Sequence, residues 1–201
     1  MKFGIMNSER IMEVLLMAVD MEKLIAESLL KLNNTHSVKK ITVKMILNDC
    51  GVSRQTFYNH FKDKNDLIYY VYKRYIIPDF NSASSEQSFQ GNLLNSLNAM
   101  KEFHHFLKQA FMIEDQNNLS NQSLKHTIEF DLDWLRAHYG KDLPEDMRFA
   151  CIYHAHASHA MVITWLLADM PVSPQEVAEM ITSLRSFGMD RWFGSDNPYK
   201  K

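Results

Sequence analysis

Residues 41–67 read ITVKMILNDCGVSRQTFYNHFKDKNDL, and they determine how the rest of the chain is interpreted. Thr42 can cap a short helix, in which three apolar residues recur at helical spacing: Val43, Ile46 and Leu47. Gly51 can adopt a left-handed backbone without steric cost, as a tight corner between two helices requires. Ser53 can cap a second helix. Two short helices joined by a glycine corner predict a helix-turn-helix.

The second of these helices is polar on the face that points away from the first. Val52 and Phe57 are predicted to pack inward, and the outward residues are Arg54, Gln55, Thr56, Tyr58 and Asn59. They supply hydrogen-bond donors that no carboxylate interrupts, so the face suits base edges and phosphates. An ordinary corner in a helical bundle is the alternative, since spacing alone also allows it.

The same run resembles the DNA-binding domain of the TetR family of bacterial transcriptional regulators, over roughly residues 20–70. The matching positions are Thr42, Ile46, Gly51-Val52-Ser53, Thr56, Tyr58, His60-Phe61, Lys64 and Leu67. Cys50 departs from the alanine usual in the family, but a thiol is about as small and apolar. The resemblance implies an all-α chain, with an N-terminal three-helix helix-turn-helix domain and a C-terminal helical bundle for ligand binding and dimerisation.

The resemblance also implies a DNA-binding set that includes the capping Ser53. The positions that contact phosphates in TetR-family complexes are Thr42, Thr56, Tyr58, His60 and Lys64. The positions that face bases are Arg54, Gln55 and Asn59. Arginine can donate two hydrogen bonds to guanine, and Gln or Asn can pair with adenine. We therefore expect double-stranded DNA as the partner, bound at a palindromic operator by a homodimer that normally represses transcription.

The formal net charge is only −2, but it is unevenly distributed. Residues 1–78 contain 12 Lys and Arg against 8 Asp and Glu, whereas residues 79–201 contain 10 against 16. The two parts therefore carry +4 and −6. A basic part followed by an acidic remainder is typical of a DNA-binding domain joined to a domain that does not bind DNA.

A helix after Lys64 is predicted to run to Ile77, where Pro78 stops it. The polar residues 81–91 then mark a domain boundary. We predict a helix-turn-helix domain at 1–78, with an N-terminal extension and a linking helix, and a helical ligand-binding and dimerisation domain at 79–201. Residues 1–18 either extend the first helix as an arm or are loosely ordered.

The chain shows no sign of export or membrane insertion. Its apolar run at 11–19 is too short to span a membrane, and acidic residues flank it without a small-residue cleavage site. Cys50 and Cys151 lie far apart in sequence and imply no disulfide framework. We expect a cytoplasmic protein.

About four more helices are predicted beyond the boundary. Residues 147–170 are apolar nearly all round, so we expect them to be buried on most sides. Ser173 and Glu176 form a capping box with Pro174 at the first helical position. The two long final helices predict a four-helix dimer interface. Residues 165–176 also resemble the C-terminal domain of a TetR subgroup that includes regulators of dihydroxyacetone kinase operons.

The second domain is expected to hold a pocket for an unknown small effector, with six aromatic residues as candidate walls: Phe103, Phe106, Phe111, Trp134, Tyr153 and Trp165. Such aromatics also occur as ordinary core. One alternative is that this domain binds a partner protein, as some dihydroxyacetone kinase regulators are understood to do.

A second alternative is a metal sensor that uses His154, His156 and His159. Positions on a helix are about 100° apart, so only His156 and His159 share a face. Zinc needs three or four converging ligands, so another helix would have to supply the rest, from His104, His105, His126 or Glu129. We expect no cofactor and no enzyme, since the sequence has no nucleophile elbow, phosphate loop or HExxH motif.

Overall fold

A computed structural model of the chain describes residues 20–77 and 88–196. Those residues form nine α-helices and a short 3-10 turn, Gly194–Asp196, and contain no strand, which confirms the all-α prediction. The helices are α1 (Met21–Asn33), α2 (Val43–Cys50), α3 (Arg54–His60), α4 (Lys64–Tyr75), α5 (Phe89–Glu102), α6 (His104–Phe111), α7 (Leu119–Tyr139), α8 (Glu145–Leu167) and α9 (Pro174–Phe193). The predicted arm at 1–18 lies outside the described residues.

The chain divides into two compact units, the first ending at Asp63 and the second beginning at Lys64. In the first unit, α1 packs on α2, and α2 contacts α3. The Ser28 hydroxyl of α1 donates to the Ile46 carbonyl at 3.2 Å and to the Asp49 carboxylate at 2.9 Å. Lys31 Nζ donates to the same carboxylate at 2.6 Å. Polar contacts therefore hold α1 to α2 beside a core that includes Ile25 and Leu29.

The second unit is a helical bundle. In it α7 packs against α8, α9 packs against α5 and α8, and α4 contacts α7. One core cluster is formed by Phe89, Trp134, Leu135, Met147, Cys151 and Met189. The contact between α4 and α7 places the predicted linking helix in this unit. The predicted boundary at 78/79 falls in residues 78–87, outside the described part, and stays a prediction.

Three helix boundaries differ from the sequence expectation. The linking helix α4 ends at Tyr75, two residues before the predicted Ile77. The predicted boundary stretch 81–91 ends early, because Ser88 caps α5 by accepting from the Gly91 N–H at 3.2 Å. Apolar residues recur at helical spacing from Leu93 to Phe111, as in one continuous helix. The structure divides this run into α5 and α6 at Phe103, whose φ of −97° and ψ of 18° are not helical. Backbone hydrogen bonds continue through the break, so the pattern gives no sign of it.

The corner between α8 and α9 is tightly built. Asp169 and Met170 have positive φ values of 60° and 55°, and the Trp165 indole Nε1 donates to the Val172 carbonyl at 2.9 Å. Ser173 and Glu176 form the predicted capping box. The stretch that resembles the dihydroxyacetone kinase regulators is therefore this corner.

The prediction that residues 147–170 are buried on most sides is wrong for the single chain. One face of α8 is exposed, at Phe149, Tyr153 and Met161, and one face of α9 is exposed, at Met180, Leu184 and Phe187. Phe187 is 85% exposed, which is extreme for a phenylalanine. We call these six residues the apolar stripe. When a helix is apolar on all sides, its sequence does not show which face packs into the core and which face is left for a partner.

Within residues 20–77 and 88–196, no helix combines the length and the apolar character needed to cross a membrane.

Candidate nucleic-acid interface and ligand cavity

The corner of the helix-turn-helix is built as its sequence predicts. The Thr42 hydroxyl caps α2 by accepting from the Met45 N–H at 3.3 Å. Gly51 has a left-handed φ of 70°, and its N–H donates to the Leu47 carbonyl at 2.9 Å. A side chain would be strained at that φ, so glycine is needed there. Ser53 caps α3 by accepting from the Thr56 N–H at 3.0 Å.

The polar face of α3 is exposed as predicted, whereas Phe57 is fully buried. Its exposed members are Arg54, Gln55, Tyr58, Asn59 and His60. Thr56 is half-buried, and its hydroxyl lies 2.8 Å from that of Ser53. Phe57 also contacts Phe61, with 5.6 Å between the ring centroids. The inward aromatic pair fixes the rotation of α3, and this rotation exposes the polar face.

Contacts between neighbouring turns of α3 hold the three candidate base-reading residues. The Gln55 amide donates to the Asn59 carbonyl oxygen at 3.0 Å. This bond leaves the Gln55 carbonyl as an acceptor and the Asn59 amino group as a donor for other partners. Together they complement the adenine edge, which presents the N6 donor and the N7 acceptor. The Arg54 guanidinium lies 5.7 Å from the centre of the Tyr58 ring, within cation–π range.

Two candidate phosphate ligands have carboxylates nearby. His60 Nδ1 lies 3.6 Å from the Glu22 carboxylate of α1, so a phosphate would compete with Glu22 for it. Lys64 is the first residue of α4 in the second unit and is half-buried. Burial lowers the pKa of the Lys64 amine, and the nearby charge of Asp115 partly offsets this effect.

A cavity of about 110 Å³ lies in the second unit. Its walls are mostly apolar, and the residues that form them include Leu93, Leu97, Met100, Phe111, Phe130, Val162, Ile163 and Ile181. Polar groups also reach it, from Asn92, Ser96, His126, Asp131, Ser158, His159 and Arg185. One side is completed by Tyr72 of α4 and by Ile77, two residues after its end; we call residues 64–77 the α4 segment.

Only Phe111 among the six predicted wall residues lines this cavity. Phe103 packs against Tyr75, with 5.2 Å between the ring centroids, and Phe106 is buried elsewhere. Trp134 belongs to the core cluster and stacks on His138. Trp165 closes the α8–α9 corner, and Tyr153 is 64% exposed in the apolar stripe. Helical spacing does not separate the aromatics of a cavity from those of a core.

Asp131 and Arg185, which the sequence analysis missed, form a buried ion pair at the cavity. Arg185 Nη2 lies 2.6 Å from Asp131 Oδ2. The sequence carried a signal for Asp131, because this carboxylate shares a helix face with the apolar residues Ile128 and Leu132, three positions before it and one after. Arg185 likewise occupies the buried face of α9, in register with Ile181 and Met189.

The three histidines of α8 point to different surroundings. His159 lines the cavity, with its Nε2 at 2.8 Å from the Ser123 hydroxyl. His154 packs against Gly188 of α9, and His156 is exposed. Burial, together with the nearby His156, lowers the pKa of His159 to about 4. In the described part of the chain, no three His, Cys, Asp or Glu side chains are grouped to hold a metal ion.

An exposed polar reading helix behind a glycine corner, followed by a helical domain with a cavity, defines a class of DNA-binding regulators. Comparison with known proteins agrees. The family described as "Bacterial regulatory proteins, tetR family" matches residues 25–71, and the "Transcriptional regulator C-terminal region" family matches residues 87–186. The chain belongs to the TetR family and is a DNA-binding transcriptional regulator.

Individual relatives share this character. The chain is 25% identical over 140 residues to the dhaKLM operon transcriptional activator DhaS of Lactococcus lactis. The aligned region covers 68% of this chain and 74% of that protein. It is 30% identical over 120 residues to an HTH-type transcriptional regulator of Staphylococcus aureus, which covers 59% of each. A solved structure of a dihydroxyacetone kinase operon activator, DhaS, has the same fold, with a TM-score of 0.61 at 22% identity over 84% of this chain and 95% of that one.

Proposed function

We propose that this chain is a cytoplasmic homodimeric repressor that binds a palindromic operator and is released by a small molecule in the cavity of its second unit. The observation that carries the proposal is the exposed face of α3, where Arg54, Gln55 and Asn59 lie together without a carboxylate. Such a face reads base edges in a major groove. The proposed phosphate contacts position the helix on the DNA, and they come from Thr42, Thr56, Tyr58, His60 and Lys64. The other member of the DNA-binding set, Ser53, caps α3.

The apolar stripe on α8 and α9 supports the dimer. An apolar surface of this kind on two adjacent helices is costly to leave in water. A second copy related by a two-fold axis would cover it with the same two helices. The resulting dimer would carry two reading helices, which matches the two-fold symmetry of a palindromic site.

The cavity supports control by a small molecule. Tyr72 and Ile77 reach it from the α4 segment, which directly follows the last residue of the first unit. A ligand that binds one arrangement of α4 more tightly would shift the population toward that arrangement. Its effect on DNA affinity is limited to the ratio of its affinities for the two states.

To test the proposal, the operator is selected with the purified protein from a pool of random duplexes. Binding to the selected duplex is then measured by fluorescence anisotropy. We expect an inverted repeat, bound by one or two dimers, with half-sites a whole number of helical turns apart. Insertion of about half a turn between the half-sites should abolish tight binding. Selection of a sequence without two-fold symmetry would contradict the dimeric account.

A second candidate is an activator whose second unit binds a partner protein. The relative from Lactococcus lactis is named an activator, and this name favours activation over repression. In vitro transcription from a promoter that carries the selected site separates the two candidates. Repression by the purified protein alone supports the first, whereas activation that requires an added protein fraction supports the second.

A further inference from the structure

We infer that the cavity of the second unit takes an uncharged, largely apolar molecule the size of one substituted benzene ring, with a hydroxyl or carbonyl group placed beside Asp131 and Arg185. The inference rests on the proposed control by a small molecule and specifies the chemistry of the ligand. Three features of the cavity carry it: its charge balance, its walls and its size.

The charge balance excludes an ionic ligand. The side chains of Asp131 and Arg185 are 2% and 3% exposed. Burial raises the pKa of the Asp131 carboxyl, and the charge of Arg185 at 2.6 Å opposes this effect. With Arg185 permanently charged, the ionised pair is neutral as a whole. The Arg185 Nε donates to the Ser158 hydroxyl at 3.3 Å, and its guanidinium lies 4.8 Å from the Phe89 ring. The guanidinium is therefore engaged by a carboxylate, a hydroxyl and an aromatic face. A ligand carboxylate there would stand beside Asp131, and one of the two anions would remain buried without compensation.

The two histidines of the cavity do not change this balance. Burial lowers the pKa of His126 and of His159, in the latter case to about 4. Both imidazoles are therefore mainly neutral near pH 7 and supply hydrogen-bonding nitrogens without a net charge. The histidines therefore offer no positive charge to an anionic ligand. The Asp131 carboxylate is already paired with Arg185, so it does not serve as the counterion of a cationic ligand.

The walls and the size favour a ring over a polyol. Leu93, Leu97, Met100, Val162 and Ile163 offer no hydrogen bonds to a ligand. Several of the polar groups that reach the cavity are already bonded: Arg185 to Asp131 and Ser158, and His159 to Ser123. A small polyol would therefore lose more hydrogen bonds to water along the apolar walls than these groups return. The volume of about 110 Å³ is smaller than the roughly 150 Å³ of an apolar protein cavity that binds benzene. A single ring with small substituents is therefore the upper limit of what the cavity admits.

The experiment compares three probes on the full-length protein by isothermal titration calorimetry near pH 7. They are 4-methylphenol, its charged analogue 4-methylbenzoate, and glycerol. We expect 4-methylphenol to bind once per chain, and the other two to bind at least about tenfold more weakly. Tighter binding of 4-methylbenzoate, equal binding of glycerol, or binding of none of the probes would overturn the inference.

Matched variants locate the binding. Val162→Phe fills the cavity and should abolish binding of 4-methylphenol, whereas Val172→Phe makes the same change at an exposed position outside it. If Val162→Phe does not fold, Ser96→Leu takes its place as the variant that fills the cavity, from α5. Binding that survives in a folded cavity-filling variant would overturn the inference.

The anisotropy of the operator complex with and without 4-methylphenol separates the inference from the proposed function. Binding to the cavity without a change in DNA affinity upholds the ligand class and contradicts control by this site. Specific DNA binding in a protein that takes none of the probes contradicts the ligand class and leaves the DNA-binding proposal in place.

Discussion

Arg185 Nη2 lies 2.6 Å from Asp131 Oδ2, and the two side chains are 3% and 2% exposed. The ion pair joins α7 to α9. Through the Ser158 hydroxyl and the Phe89 ring, Arg185 also contacts α8 and α5. One guanidinium therefore connects four helices of the second unit beside the cavity. Because both charges are removed from water, each depends on the other for its stability.

Removal of one partner should destabilise the protein strongly. Asp131→Leu or Arg185→Met leaves an uncompensated buried charge, which costs about 3–5 kcal/mol of the free energy of unfolding. The double variant should recover most of that loss, because it leaves no buried charge. Urea unfolding checks this at one fixed protein concentration, since dimer stability depends on concentration.

The control is an exposed ion pair on α7, the helix that carries Asp131. Arg136 Nη1 and Asp133 Oδ1 are also 2.6 Å apart, but their side chains are 40% and 70% exposed. Arg136→Met should change stability by no more than about 0.5 kcal/mol, as for exposed ion pairs generally. Equal losses from Arg136→Met and Arg185→Met would contradict the role of burial.

Acid should destabilise the protein partly through His159. Its pKa is lowered from 6.5 to about 4 by burial and by His156, so between these values the unfolded chain binds more protons than the folded one. The free energy of unfolding therefore falls as the pH drops from about 6.5 toward 4, and this contribution levels off below. Partial exposure reduces the contribution to about 1–2 kcal/mol.

Urea unfolding at a series of pH values measures this effect. His159→Gln keeps a hydrogen-bonding group beside Ser123 but cannot take up the proton, so its stability should fall less steeply across that pH range. His156→Gln changes an exposed side chain and should nearly keep the wild-type slope. The same slope in His159→Gln and wild type would show that His159 does not contribute.

Close packing of α8 on α9 should make Gly188 intolerant of a side chain. A Cβ at Gly188 would lie 2.9 Å from His154 Cε1 and nearer still to Nε2. The clash in Gly188→Ala should therefore cost about 1–3 kcal/mol, partly offset by the higher helix propensity of alanine, about 0.5–1 kcal/mol. His154→Ala should relieve that cost, with a coupling of at least about 0.5 kcal/mol in a double-mutant cycle. Thermal or urea unfolding of the four proteins measures it.

Gly91→Ala is the matched control, because Gly91 is also helical and its Cβ would meet only the Ser88 hydroxyl, at 3.4 Å. Without a clash, the higher helix propensity of alanine should dominate. The variant should be as stable as wild type or more stable by about 0.5–1 kcal/mol. Destabilisation of both glycine variants to the same degree would mean that the contact with His154 is not the cause.

A charge in the apolar stripe should prevent dimerisation. Phe187 is 85% exposed in the single chain, and Phe187→Glu would bury two carboxylates in the proposed two-fold interface. Size-exclusion chromatography with light scattering should then report a monomer, with weakened operator binding. Met112→Glu, at a position that is 66% exposed outside the stripe, should remain a dimer. A dimeric Phe187→Glu would place the interface elsewhere.

The helix-turn-helix could be predicted from sequence because each of its determinants is local. Thr42 and Ser53 cap through the N–H groups three residues later, and Gly51 acts through its own φ. The exposed face of α3 follows from the position of Phe57 on a seven-residue helix. Such relations need no knowledge of the rest of the fold.

The cavity could not be predicted in this way, because its walls come from helices distant in sequence. Asp131 stands out as a carboxylate on an apolar face, but nothing local identifies Arg185 as its partner. The apolar residues of α9 lie on two faces: Ile181 is buried, whereas Leu184 is 69% exposed. Hydrophobic periodicity does not distinguish the core of one chain from an interface between two.

The most direct test of the account is an anisotropy measurement of wild type and Arg54→Ala on the selected operator and on a shuffled duplex. Wild type should bind the operator at least about 10³-fold more tightly than the shuffled duplex. Arg54→Ala should lose about 1–3 kcal/mol on the operator and little on the shuffled duplex, because Arg54 reads a base. Equal losses on the two duplexes would contradict base reading by α3, and a wild type without preference would contradict the proposed operator.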